Sequence, residues 1–162
     1  MTLFSSGLSV ILSKLKQLLP LFMWSFGALS FFMQYACRTA PSVILDELTV
    51  YFAASPIMIG YLGAAFLYPY VVMQLFVGRL VDHAKPHRVL ILTVAVFFIA
   101  NQIFSESIHI YEAIAARLIM GAAGAFTFVV TMKLAMLWFE NRYLGILAGA
   151  TQVSGMLGVV FG

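Results

Sequence analysis

Charge is scarce in this chain. Only 9% of its 162 residues are Asp, Glu, Lys or Arg, while 63% are hydrophobic, and the mean hydropathy is +1.02. Soluble domains carry about 25% charged residues, so too little polar material is present to cover a water-exposed core. Cysteine occurs once, which excludes an internal disulfide and leaves the redox compartment unspecified. HExxH, CxxC and phosphate-loop patterns are absent, so no motif points to an enzyme, a metal or a cofactor. The net charge of +3 is not gathered on a soluble basic face, which argues against a nucleic-acid partner.

What fills the chain instead is five long apolar runs, near Leu18 to Ile44, Ile57 to Val77, Val89 to Phe104, Ala113 to Trp138 and Leu144 to Phe161. Crossing about 30 Å of hydrocarbon takes about 20 apolar residues, and each run is of that order. A helix satisfies its own backbone in lipid and an open sheet does not, so an all-α membrane protein with about five transmembrane helices is expected. The lipid bilayer is its first partner. Residues 1–17 read as a cytoplasmic segment and 18–162 as the transmembrane domain. The first run is too long for a signal peptide, and Gln34, Tyr35 and Arg38 around Cys37 do not suit a lipoprotein site.

The few charges are sorted. Lys14 and Lys16 precede the first run, Arg79, Lys85 and Arg88 lie after the second, and Lys133 and Arg142 flank the end of the fourth. The alternate loops carry Asp46, Glu47, Glu106 and Glu112 and no Lys or Arg. The positive-inside rule then places the amino terminus in the cytoplasm.

Two arginines fall inside predicted spans, where a charge costs roughly 2.5–3.5 kcal/mol on insertion scales and usually faces a cavity or a partner. Arg38 follows Gln34 by four residues, which puts both on one helix face. Pro41 cannot donate to the carbonyl of Cys37 and should loosen the helix beside the charge. A guanidinium there could hold a carboxylate or phosphate in fork geometry; the alternative is an arginine that snorkels or pairs with Asp46 or Glu47. Arg117 heads a stripe with Gly121 and Gly124, where small residues let another helix approach. Coupling and structural bracing are both open for it.

Weaker candidates follow from the same spacing argument. Tyr61 and Tyr68 share a face of the second span, and Thr127 and Thr131 a face of the fourth; either pair could line a polar path or make interhelical hydrogen bonds. In the fifth run Gly145 and Gly149 form one small stripe and Ser154, Gly158 and Gly162 another, with Gln152 as a candidate substrate contact. Lys133 should snorkel toward the boundary near Trp138.

Between the second and third runs lies Gly78 to Leu90, G-R-L-V-D-H-A-K-P-H-R-V-L. Gly78 allows close backbone approach at a helix end, and Asp82 can cap a following helix or accept bonds from nearby amides and basic side chains. With glycine first, aspartate fifth, the basic cluster through Arg88 and leucine last, this stretch resembles the cytoplasmic loop after the second helix of major facilitator superfamily transporters. His83 and Lys85 stand where that pattern usually has a basic residue and a glycine. Arg117 and its glycines resemble the fourth-helix signature of the same family, implicated in proton coupling or in bracing the cavity. No acidic residue lies deep in a span to carry a proton. The Gly-Pro pair of many fifth helices in the family's antiporters is missing.

The stretches Phe31 to Ile44 and Tyr68 to Asp82 resemble a bacterial branch that includes nutrient carriers of intracellular gammaproteobacteria, the phagosomal transporter group. Several of its members are associated with amino acids or nucleosides. The resemblance implies an inner-membrane secondary carrier of a small polar nutrient, such as an amino acid or organic anion, with proton symport as one option. Arg38, Gln34, Tyr61, Tyr68 and Gln152 are the candidate substrate contacts, Arg117 the coupling or bracing residue, and Gly78, Asp82 and Arg88 the gating motif. Family carriers have twelve helices in two halves, with the site between them. Five spans are therefore expected to form an incomplete amino-terminal half that lacks its carboxyl-terminal partner. The alternative is a truncated, non-transporting membrane protein.

Overall fold

The computed structural model describes residues 2–161, with side chains from Leu18 onward; the side chains of Lys14 and Lys16, and Gly162, lie outside what is described. The described residues form seven helices: α1 (Thr2–Val43), α2 (Leu45–Tyr51), α3 (Pro56–Ala65), α4 (Leu67–His83), α5 (Pro86–Glu106), α6 (Ile110–Trp138) and α7 (Asn141–Phe161). Five stretches are long and apolar enough to cross a membrane: Leu18–Val43, Pro56–His83, Pro86–Glu106, Ile110–Trp138 and Asn141–Phe161. The short α2 lies outside them, on the connection between the first two.

Proline marks where helices start and bend. Pro56 and Pro86 open α3 and α5, positions whose missing N–H would have no intrahelical partner anyway. Pro69 deprives the Ala65 carbonyl of its donor, and the second span breaks at Phe66 into α3 and α4. The expected single helix is thus two. Pro41, by contrast, does not end α1, which continues to Val43. The second span also runs past its expected end at Val77: Gly78 through His83 are helical, and only residues 84–85 separate α4 from α5. The third span begins and ends further out than expected, at Pro86 and Glu106. At α6, His109 and Glu112 form a capping box, with Glu112 accepting from the backbone N–H of His109 and Ile108, so this acidic residue serves the helix end.

α6 is the hub. Over half of its most apolar stretch is buried (56%), against 17–22% for the other spans, and it packs along α5, α4 with α3, and α1. Glycines set the close approaches. A Cβ on Gly121 would collide with the carbonyl of Phe66, and one on Gly158 with the carbonyl of Phe32, so α6 meets the broken second span, and α7 meets α1, at backbone distance. Trp24 Nε1 donates to Thr151 Oγ1 at 3.2 Å, and Ser154 Oγ donates to the Ala28 carbonyl at 2.7 Å, fixing α7 alongside α1. Two apolar clusters fill the bundle, one around Val77, Val81, Leu90, Val130 and Leu134 and the other around Phe66, Ala100 and Met120.

Charge divides the bundle into two ends. Around the α4–α5 and α6–α7 turns stand Arg79, Lys85, Arg88, Lys133 and Arg142, with Asp82 and Glu140 as the acidic residues there; around the α1–α3 and α5–α6 connections stand Asp46, Glu47, Glu106 and Glu112, with no Lys or Arg. These are called the basic end and the acidic end below.

Candidate functional site: a two-arginine cleft

Toward the acidic end, a cleft of about 420 Å³ opens between α1, α3 and α6, lined by Arg38, Arg117, Thr39, Pro41 and Ser42 together with apolar residues of α2, α3 and α4. The two intramembrane arginines meet here, and they do different things. Arg117 is only 3% exposed. Its Nη1 donates to the Cys37 carbonyl at 3.4 Å and its Nη2 to the Arg38 carbonyl at 3.1 Å. Cys37 is the residue whose carbonyl Pro41 leaves without a donor. The guanidinium of α6 thus satisfies an acceptor that the α1 proline leaves open, which is why α1 stays helical through Pro41 instead of loosening there. The faces of Phe66 and Phe104 lie 5.6 Å and 5.7 Å from its guanidinium carbon, a favourable setting for a cation in a dry environment. Arg117 Nε has no hydrogen-bond partner.

Arg38 has no carboxylate partner among the described residues; the ion pairs there are Lys133 with Asp82 and Arg142 with Glu140. The pairing with Asp46 or Glu47 weighed above does not occur. Its guanidinium carbon instead lies 5.4 Å, 5.8 Å and 5.7 Å from the ring centroids of Tyr35, Phe66 and Tyr70. Three aromatic faces from two spans hold the charge without neutralising it. Sequence spacing could supply Tyr35, three residues before Arg38 on the same face; Phe66 and Tyr70 come from another helix, and nothing local announces them.

The other candidates do not gather here. Gln34 is 2% exposed and sits against Gly124 of α6, with both amide heteroatoms unpartnered. It borders a separate cavity of about 350 Å³ between α1, α5 and α6, beside Ser30, Asn101 and Thr127. Its four-residue spacing from Arg38 gave a common face, but α6 covers that face at Gln34. Tyr61 and Tyr68 are 59% and 68% exposed and flank a shallow apolar groove with Tyr111, apart from the arginines. Gln152 is exposed on α7. Thr127 and Thr131 are buried, and Thr131 Oγ1 donates to the Thr127 carbonyl at 2.7 Å: an intrahelical bond, with Gly27 packed against Thr131.

At the basic end the gating candidates sit on two helices. Asp82 lies in the last turn of α4 and does not cap α5. Its Oδ1 accepts from Lys133 Nζ at 2.7 Å, and the same ammonium donates to the Val81 carbonyl at 2.8 Å. Lys133 therefore ties α6 to the end of α4 rather than snorkelling alone. The close approach expected at Gly78 is absent, since a Cβ there would meet nothing within 4 Å. Arg88 is exposed in the first turn of α5. Gly145 and Gly149 likewise have open space where the expected packing partner would be.

The sequence model of the Major Facilitator Superfamily matches residues 27–162. The chain belongs to this superfamily. No curated protein matches it. Membership and the five apolar spans make it a transmembrane transporter protein of the superfamily, and within that architecture the Arg38 cleft is the place where an unneutralised charge is held open in the bundle.

Proposed function

We propose that the chain provides part of the amino-terminal half of a secondary carrier that moves a small polar nutrient, an amino acid or an organic anion, by alternating access. The observation that carries this reading is Arg38: a charge kept within a span, caged by three aromatic rings, with no anion of its own among the described residues. Holding such a charge in lipid is costly unless something compensates it, and a substrate carboxylate is the natural compensation. Gln34, Tyr61, Tyr68 and Gln152 stand as secondary candidates for later stages of the cycle, because none shares the Arg38 cleft in this state. Arg117 braces the cleft, and Asp82 with Lys133 latches α4 to α6, with Gly78 and Arg88 completing the loop motif.

A second helical bundle is part of the proposal. Gly78 on the second span, and Gly145 and Gly149 on α7, have no atom within 4 Å of a Cβ placed on them. Open glycine faces on two spans suit close docking by further helices, as the two halves of such carriers require. The basic end is read as cytoplasmic, with residues 1–17 on that side and 18–162 as the transmembrane unit, in a bacterial inner membrane of the kind the phagosomal branch occupies. Proton symport is the coupling this branch suggests, though no buried carboxylate occurs among the described residues.

Membrane vesicles carrying the protein in its native assembly test the reading. Saturable uptake of a labelled amino acid or organic anion, lost in Arg38→Ala, is expected. Absence of saturable uptake across both classes would contradict it and leave a non-transporting membrane protein. Cysteines placed at Glu47 and Ser107 should label from outside the cell and one at His83 only after permeabilisation; the opposite pattern reverses the orientation.

A further inference from the structure

The proposed function leaves open whether the substrate is a zwitterion or a simple anion, and the chemistry of the cleft separates the two. We infer that the Arg38 cleft selects a monocarboxylate that carries no ammonium group, with a small apolar body, over the corresponding zwitterionic amino acid. The inference rests on the carrier reading above and narrows its substrate class.

The first observation is the number of free forks. A carboxylate or phosphate is bound best by a guanidinium with two N–H groups available side by side. Arg117 has already given one N–H of Nη1 and one of Nη2 to the carbonyls of Cys37 and Arg38, and its unpartnered Nε is buried, so its end-on fork is committed to α1. Arg38 alone offers a fork, and one fork fits one carboxylate. A dianion such as a phosphate monoester would find a single bidentate donor for two charges.

The second observation is what the cleft has for a cation. Zwitterions bring an ammonium about as close to the carboxylate as geometry allows, and once desolvated it needs a counter-charge or several acceptors. Among the described residues no Asp or Glu lines the cleft. Asp46 and Glu47 follow Leu45 on α2, but only Leu45 reaches the lining. The aromatic faces that could take an ammonium, those of Tyr35, Phe66 and Tyr70, already hold Arg38. Thr39 and Ser42 donate their hydroxyls to the carbonyls of Tyr35 and Thr39, at 2.9 Å and 2.6 Å, which leaves neutral lone pairs and no negative charge. Two guanidiniums therefore repel an incoming ammonium, and only the neutral lone pairs of Thr39 and Ser42 stand against that repulsion.

The third observation is the remaining wall. Pro41, Leu45, Ile59, Leu62 and Leu67 line it, and a cavity of about 420 Å³ is at the small end of ligand sites. A branched or short aliphatic body fits that surface, and a polyol or nucleoside would leave hydroxyls unpaired. An anionic lipid headgroup shares the carboxylate's charge, so the test must tell the two apart.

The protein in its native assembly, purified in uncharged detergent micelles and followed by thermal unfolding, is titrated separately with 4-methyl-2-oxopentanoate, leucine and leucinamide, and then with phosphatidylglycerol. These three small molecules share one carbon skeleton and differ in charge. The oxo acid should raise the melting temperature saturably, leucine should need more than about tenfold higher concentration for the same shift, and leucinamide should give none. Arg38→Lys should weaken the oxo-acid response and Arg38→Ala remove it. Leucine acting at equal or lower concentration, with the effect still dependent on Arg38, overturns the selectivity and leaves the carrier reading standing. No response to the oxo acid, or one that survives Arg38→Ala, removes Arg38 from substrate binding and overturns both. A saturable response to phosphatidylglycerol with none to the oxo acid makes the cleft a lipid site and overturns the inference.

Discussion

Two cations on α6, Arg117 and Lys133, are compensated in opposite ways at opposite ends of one helix. Lys133 reaches a carboxylate, Asp82, at the rim of the bundle, where the two side chains are 25% and 72% exposed. Arg117 has no carboxylate; it is held in the interior by two carbonyls of α1 and two aromatic faces. The contrast teaches that an ion pair is not what secures a charge inside this bundle. Water screens the rim pair and solvates either partner once they part, which suits a contact that must open and close. In the interior a guanidinium needs acceptors that cannot leave, and a proline-exposed backbone carbonyl is one. The rim contact therefore reads as a latch and the interior one as a brace.

The largest test of that contrast is Arg117→Leu. It strips the Cys37 carbonyl of its donor and two charged hydrogen bonds from the α1–α6 contact, and should lower the stability of the folded chain by about 3 kcal/mol, read as a lower melting temperature in micelles. A melting temperature equal to the parent's would deny the bracing role. Next in size is Gly121→Ala, whose added methyl meets the Phe66 carbonyl, a backbone atom that cannot swing aside; a loss of about 2 kcal/mol is expected from overpacking. Gly149→Ala sharpens the comparison, because nothing lies within 4 Å of its added carbon, and stability should stay within about 0.5 kcal/mol of the parent. Asp82→Asn should change the melting temperature least of all and should instead lower transport rate in vesicles. If Asp82→Asn destabilised the bundle as much as Arg117→Leu, the distinction between latch and brace would be lost.

Much of the fold could be read from periodicity and composition, because crossing a bilayer demands long apolar runs and little else. The five spans follow directly. Their interruptions were harder: the break at Phe66 came from Pro69, whose effect falls four residues upstream at Ala65, and the helical Gly78–His83 segment was hidden because its polar residues look like a loop when only hydropathy is followed. The site was legible to the extent that it lies on one helix. Arg38 and Arg117 stood out because a charge amid apolar residues is visible in one dimension. Their relation was not, since the carbonyls that Arg117 serves lie 79 and 80 residues away in sequence. Gln34 illustrates the limit from the other side: the spacing placed it correctly on the face of Arg38, yet which parts of that face stay open depends on where α6 crosses, and Gly124 admits the amide at that level. Lys133 and Asp82 are likewise partners 51 residues apart, both visible as charges and neither pointing to the other.

The central claim is that the two arginines divide the work, Arg117 holding the cleft together and Arg38 serving what enters it. Arg38→Ala, purified in micelles and measured for both melting temperature and its response to 4-methyl-2-oxopentanoate, tests that most directly. The account predicts a melting temperature close to the parent's and no response to the anion. A variant that unfolds at much lower temperature, while the protein that stays folded responds to the anion as the parent does, would contradict it.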